Sequence, residues 1–393
     1  MLLGLVGKPS CGKSTFFKAA TLADVLIASY PFATIEPNHG IGYVRVKALC
    51  SELGVKCNPR TGYCDSKTRF VPVELMDVAG LVEGASEGKG LGNQFLDSLR
   101  QADLFIHIVD CSGTTNAEGQ QGEGDPVADV KMLENELNKW YAGILKKVWA
   151  KLAKSLQVTK EDSAKAISKQ FSGLRVSESD VKSVMNSLKL NTESIATWSE
   201  DDLLNFASSL RYRTKPMIIA ANKTDKVGAK ENLERLRIEF NDLMIIPCSA
   251  DSELSLRQAS KVGMIDYTPG ANDFVIHEDK VNSEQKGALE KIKKNILDVY
   301  GSTGVQEVLD IAVFDLLKYI AIFPAGSRLA DSKGNVLPDC FLLPPGSTAL
   351  DFAYYLHTDI GDKFVKAVDV RTKMAVGKEH VLKNRDGIEI MTS

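Results

Sequence analysis

Near its start the chain reads GKPSCGKST over Gly7–Thr15, directly after the apolar run Leu2–Val6. The segment fits G-x-x-x-x-G-K-[ST], with Gly7, Gly12, Lys13 and Ser14 at the defining places. This pattern demands a buried strand, a bend free of bulky side chains and a helix opening at its far end. Residues Lys8, Pro9, Ser10, Cys11, Gly12, Lys13, Ser14 and Thr15 then wrap phosphate oxygens, mostly through main-chain N–H groups, and the helix N-terminus adds partial positive charge. Lys13 supplies a point charge to the outer phosphates and Ser14 offers a hydroxyl to Mg²⁺. The helix-forming run Phe16–Ala20 follows as the pattern requires.

With 393 residues the chain has room for two or three domains and a sizeable core. Its net charge of −3 gives no global basic field, so any contact with nucleic acid has to come from a local patch. No run of about 18 apolar residues is present, which predicts no membrane span. Met1–Val6 is too short for a secretory leader, and the expected location is the cytoplasm. Seven cysteines do not form a disulfide framework. Cys50, Cys57 and Cys64 are spaced seven apart in a loop-like stretch, where zinc is conceivable. With no C-x-x-C pair or nearby His, they read as free thiols.

Residues 1–110 alternate strand and helix patterns, which favours an α/β sheet with ligands at the carboxyl ends of its strands. Phe70–Met76 and Leu104–Val109 are the next β-rich runs. In Tyr30–Gly42, Thr34 is the one hydroxyl flanked by apolar residues, placed to complete a Mg²⁺ shell from a loop that orders around a γ-phosphate. Asp77-Val78-Ala79-Gly80 ends a strand; D-x-x-G there puts the Asp77 carboxylate near Mg²⁺, reaching it through water, and Gly80 near the γ-phosphate. Leu81 follows, and a leucine cannot orient the attacking water, so intrinsic hydrolysis should be slow. The stretch Gly84–Gly92 reads as a mobile switch, and Gly113–Gly124 as a linker or exposed loop.

Asp125-Pro126 opens a helix, with Asp as cap and Pro at the first position, and helical patterns run to about Tyr212. Lys147, Lys151 and Lys154 fall at i, i+4 and i+7 beside Trp140, Tyr141 and Trp149. That face suits either RNA, through phosphate contact and stacking, or ordinary solvation above an aromatic core. The α/β pattern resumes at Met217–Ala221, followed by Asn222-Lys223-Thr224-Asp225. In N-K-x-D the Asp225 carboxylate accepts from guanine N1–H and N2–H₂, Asn222 can bond the N7/O6 edge, and the Lys223 stem packs over the base. Adenine lacks that donor pair, which favours GTP. Ser249-Ala250, after the strand Leu243–Pro247, can present an N–H to guanine O6. The helix Asn282–Tyr300, a break at Gly301–Gly304 and an apolar helical stripe from Val305 to Ile320 come next. From Pro324 short β-runs (Gly334–Leu337, Cys340–Leu343, Phe364–Val370, Ile388–Met391) surround one helix near Leu350–His357, a β-grasp-like α+β pattern.

The ordered set GKPSCGKST, DVAG, NKTD and SA marks a translation-factor-type GTPase. YPFATIEPN and GASEGKGLGNQFL are similar to signatures of the Obg-related GTPases, and with GSTGVQEV and the terminal module the chain resembles the YchF (Obg-like ATPase) subfamily. The resemblance implies a P-loop NTPase G domain over 1–124 and 213–320, a helical, coiled-coil-like insertion over 125–212 and a TGS domain over 321–393. It implies purine nucleotide with Mg²⁺, slow hydrolysis of GTP to GDP and association with the ribosome or its RNA, with no membrane and as a monomer. Many members bind ATP through an altered N-K-x-D, whereas Asp225 is intact here, so GTP is expected and ATP is the alternative. Many carry Asn where this chain has Ser10, which leaves K⁺-assisted catalysis open. A proposed catalytic His is missing from Cys111–Gly124. A reading of another class is an RNA-binding module with a vestigial nucleotide site.

Overall fold

The computed structural model describes residues 1–22, 37–87, 98–326, 329–331 and 333–393. Its chain separates into two compact units, residues 1–40 with 74–308, and residues 41–73 with 309–393. Residues 41–73 thus group with the C-terminal segment, which no sequence pattern announces.

In the first unit β1 (Leu2–Val6) is buried at every position, as a parallel strand covered on both faces requires. It is followed by α1 (Lys13–Thr21). In this unit the sheet runs Glu74–Asp77 (the end of β4, Thr68–Asp77), β1, β5 (Leu104–Asp110), β6 (Met217–Asn222), β7 (Met244–Pro247); β2 (Asn38–Lys47) and the short β3 (Tyr63–Cys64), which pair with β4, fall mainly among the residues of the second unit. β1 lies parallel to β4 and β5, β5 to β6, and β6 to β7. The register sets Leu5 beside Asp77, Asp110 beside Asn222 and Ala221 beside Pro247. The loops that leave the strands' carboxyl ends therefore share one edge, and Gly7 starts the central one.

The inserted helices begin with α3 (Pro126–Lys146), where the Asp125 side chain accepts from Val127 N and Pro126 takes the first position. Its apolar stripe (Leu133, Leu137, Tyr141) joins Phe105 and Met217 of the sheet and Phe171, Val181 and Phe206 of the insertion in one buried cluster. α3 stops at Lys147, because Val148 N–H bonds back three residues to Leu145 and tightens the turn. α4 (Trp149–Thr159) starts afresh. Lys151 and Lys154 are thus on α4 while Lys147 lies in the turn before it, so the predicted single lysine face is broken. Three further helices, α5 (Ser163–Gln170), α6 (Glu178–Ser187) and α7 (Glu200–Thr214), complete the insertion. After β6 come α8 (Ala229–Glu239) and, beyond β7, α9 (Ala250–Lys261), then the hairpin β8 (Ile265–Asp266) and β9 (Val275–Ile276). Among the described residues no helix is long and apolar enough to cross a membrane.

In the second unit five strands run in the order β11 (Phe341–Leu343), β10 (Ile320–Pro324), β14 (Gly387–Thr392), β12 (Phe364–Asp369), β13 (Ala375–Val376). β10 and β14 are parallel and the other pairs antiparallel. Helix Ala349–Leu356, capped by a reciprocal Thr348–Asp351 pair, lays Ala349 and Phe352 on Ile322, Leu343, Ala367 and Ile388. A mixed sheet around one helix is the expected β-grasp arrangement. The predicted strand Gly334–Leu337 is reduced to a single bridge between Val336 and Ala330. Ile320, predicted to close the helical stripe, instead opens β10, because Lys318 takes a left-handed conformation (φ 56) that ends the helical run.

Candidate nucleotide-binding site

The loop after β1 bends through Ser10 (φ 59) and Gly12 (φ 101), and α1 begins at Lys13. A Cβ on Gly12 would lie 2.2 Å from Asn222 Nδ2, so both conformation and space require glycine there. Lys13 Nζ donates to the carbonyl oxygens of Gly7 (3.1 Å) and Lys8 (2.8 Å), which holds its charge over the loop. Ser14 Oγ donates to Asp77 Oδ2 at 2.8 Å. Asp77 is fully buried and its other oxygen, Oδ1, has no hydrogen-bond partner among the described residues. Burial pushes its carboxyl above the ordinary range, against the pull of Lys13 and Ser14. An orphaned buried carboxylate oxygen beside a hydroxyl and an ammonium fits a hard cation, for which oxygen ligands are preferred. The Ser10 hydroxyl is likewise buried, without a partner among the described residues.

Two backbones press on the loop. A Cβ on Gly80 would meet Pro9 at 2.7 Å, and one on Gly119 would meet it at 2.5 Å. The stretch Gly113–Gly124 is an exposed loop at most of its positions, but Thr115 and Gly119 are buried where it folds onto the phosphate loop, and Thr115 O accepts from Lys8 Nζ at 2.6 Å. Lys8 is buried and pairs with Asp129 of α3 at 2.7 Å, so its side chain braces the loop from behind. Leu81 donates its N–H to Gly7 O (3.0 Å) and sinks its side chain into the core beside Val78. Glu136 of α3 accepts from Gly84 N (3.1 Å), Ser86 N (2.9 Å) and Ser86 Oγ (2.6 Å). Those bonds outweigh burial and hold its carboxyl below the usual range. Gly84–Ser86, predicted as the start of a mobile switch, is thus tied to the helical insertion; Gly88–Gly92 lies outside the described residues, as does Thr34.

The residues predicted to read the base sit on the same edge. Asn222 Nδ2 donates to Cys11 O (3.0 Å) and its Oδ1 accepts from Ala250 N (3.0 Å). Asn222 thus ties the phosphate loop to the Ser249-Ala250 turn with one bond from each end of its amide, which leaves the second Nδ2 hydrogen over, and the Ala250 N–H is used in that tie. Lys223 Nζ pairs with Asp110 Oδ2 at 2.8 Å, which fixes the course of its stem. Although burial opposes it, bonds from Lys223, Ser112 and Thr115 keep the Asp110 carboxyl below its ordinary range. Asp225 accepts from Ser249 Oγ at 2.9 Å and pairs with Lys226 at 2.8 Å, with part of the carboxylate open to solvent. From beneath, Ser249 N donates to Thr303 O, and Thr303 Oγ1 and Tyr267 OH both donate to buried Glu253. The Gly301–Gly304 break thus props the base-side turn.

Asp110, Glu136 and Glu253 carry these supports and were not singled out by any motif. Each is a lone carboxylate in an ordinary helix or strand pattern, and only its long-range partners mark it. The lysines of the insertion are exposed, but Trp140 and Tyr141 are buried, Tyr141 against Phe171, and Trp149 packs on Trp198. Those aromatic faces are spent in the core and cannot stack on bases.

A phosphate loop, a buried carboxylate beside its serine and an N-K-x-D turn on one strand edge define a P-loop nucleotide-binding protein of the GTPase class. Residues 2–154 match the family described as 50S ribosome-binding GTPase, 220–326 the Obg-like GTPase YGR210-like, G4 motif-containing domain, and 322–392 the TGS domain. The chain is 50% identical over 396 residues to GTP-binding protein MJ1332 of Methanocaldococcus jannaschii, covering 100% of this chain and 99% of that one. It is 37% identical over 222 residues to the ribosome-binding ATPase YchF of Mycoplasma genitalium, 56% of each chain. A solved GTP-binding protein from Pyrococcus horikoshii superposes with a TM-score of 0.80 at 40% identity over the full length of both. The Schizosaccharomyces pombe YchF GTPase shares the fold, with a TM-score of 0.56 at 20% identity. The chain belongs to the Obg-like, YchF-type P-loop GTPases that end in a TGS domain.

Proposed function

We propose that the protein is a slow, Mg²⁺-dependent GTPase whose nucleotide state alters its grip on the ribosome. The observation that carries the reading is the brace Cys11–Asn222–Ala250, which fixes the phosphate loop and the base-side turn against each other and leaves Asp225 partly open for a purine. The Asp225 carboxylate pairs with the N1–H and N2–H₂ donors of guanine, while adenine would leave it unmatched. Lys13 and the loop's N–H groups neutralise the phosphates. Ser14 and Thr34, with Asp77 through water, are the residues that would hold Mg²⁺. When bound, Mg²⁺ would offset the negative charge of the phosphates. Gly80 lies near the γ-phosphate end of the loop, and Leu81, buried in the core, leaves water orientation to another group, which accounts for slow turnover. The proposed body plan is a G domain from 1–124 and 213–320, a helical insertion over 125–212 and the TGS domain over 321–393.

The ribosome is the proposed partner because relatives carry that association in their names. Lys147, Lys151 and Lys154 offer phosphate contacts at most, without aromatic stacking. The test is GTP turnover with and without ribosomes, alongside Lys13→Ala. Slow turnover that ribosomes change, and that Lys13→Ala abolishes, is expected; fast turnover indifferent to ribosomes contradicts the switch.

A further inference from the structure

α2 (Leu49–Glu52), the loop that follows it and β3 bring Cys50, Cys57 and Cys64 together, with all three sulfurs within 4.8 Å of one another. Cys50 Sγ and Cys64 Sγ are 3.9 Å apart. Two thiolates on one tetrahedral Zn²⁺, with Zn–S near 2.3 Å, are about 3.8 Å apart. The stretch that closes this triangle is held by polar contacts alone: Asn58 N and Arg60 N donate to the carbonyls of Val336 and Pro338, and Arg60 pairs with Asp331 and Asp339. Residues 53–62 contain no helix or strand and no fully buried side chain. Such a loop cannot be fixed by an apolar core, whereas a shared ion would fix it at three points.

We propose that Cys50, Cys57 and Cys64 form a structural site for one thiophilic divalent ion, Zn²⁺, with water in the fourth position. Cys50 is buried and forms the floor, and Cys57 and Cys64 are half-buried, so the open coordination position faces solvent. On binding, each thiol gives its proton to water as its sulfur bonds the metal; nothing is oxidised or reduced. A redox role fits less well. A disulfide between Cys50 and Cys64 would leave Cys57 unused, although all three sulfurs lie within 4.8 Å of one another. The site is separate in residues and chemistry from the oxygen ligands proposed for Mg²⁺.

The experiment uses the full chain, purified under reducing conditions. Its zinc content is measured, the metal is removed with a chelator, and Co²⁺ is titrated in. One zinc per chain is expected, with a thiolate-to-cobalt charge-transfer band and strong tetrahedral visible absorption. Cys50→Ser, Cys57→Ser and Cys64→Ser should each lose these bands, while Cys340→Ser keeps them. Because a serine variant can fail to fold, thiol labelling of the unaltered protein is the second readout: peptide mapping should find these three cysteines protected by zinc and labelled after chelation. Absence of the bands, their survival in the triple serine variant, labelling indifferent to chelation, or a Cys50–Cys64 disulfide in anaerobically purified protein would each overturn the proposal.

Discussion

The carboxylate proposed to select the base makes the sharpest residue-level claim. Asp225 offers two acceptors to guanine's two donors, and a hydrogen bond to a charged group contributes about 1.5–3 kcal/mol. Asp225→Asn keeps the shape but replaces one acceptor by a donor. It should weaken GTP by about ten- to a hundredfold and tighten xanthosine triphosphate, whose 2-oxo group accepts where guanine donates. Competition against a fluorescent nucleotide reads both changes. Gly12 is constrained from two sides, by its left-handed backbone and by the 2.2 Å approach of Asn222 to any added Cβ. Gly12→Ala should therefore abolish nucleotide binding and lower the thermal midpoint, seen by calorimetry. In the proposed Mg²⁺ role Asp77 keeps a carboxyl in a buried place, with one oxygen unpartnered among the described residues. Asp77→Asn removes that burden, so the nucleotide-free protein should gain about 1 kcal/mol in stability while losing the tightening of GTP by Mg²⁺. A variant less stable than the parent would contradict this reading of Asp77.

Among the elements, the contact between Gly84–Ser86 and α3 ties the stretch after D-x-x-G to the helical insertion. Three hydrogen bonds converge on Glu136, and they lower its pKa, so their contribution is present above the unfolded glutamate value of about 4.3 and lost as pH falls through the lower folded value. Glu136→Gln should cost about 1–3 kcal/mol at pH 7, with the deficit narrowing as the pH is taken below about 4. Hydrogen exchange at the Gly84 and Ser86 amides should quicken in the variant; unchanged exchange would remove Glu136 as the anchor. These supports also show where sequence patterns stop. The phosphate loop, the buried parallel strands and the Asp125-Pro126 helix start were legible because each rests on local spacing. β10 was hidden because LLKYIAIFP is apolar but for Lys318, and that lysine's left-handed conformation, which no pattern marks, separates helix from strand. The role of Gly113–Gly124 was hidden for the opposite reason: a polar, glycine-rich stretch reads as a linker until Pro9 is found against Gly119. Asn222 was recognised by its motif, yet its partners Cys11 and Ala250 are distant in sequence, so its bracing task is visible only in three dimensions.

For the whole molecule, the two units give nucleotide chemistry and the TGS fold different cores, the first shared between sheet and helical insertion and the second built around Phe352. A switch in such a body needs its nucleotide to be the right one before any partner matters. Relatives named as ATPases and relatives named as GTP-binding proteins both resemble this chain, so the choice of base is the point on which the account turns. The direct measurement is equilibrium competition of ATP against GTP for the intact protein in the presence of Mg²⁺. The account predicts that GTP displaces a bound fluorescent guanine nucleotide at concentrations at least tenfold below those of ATP; equal or tighter binding of ATP would contradict it.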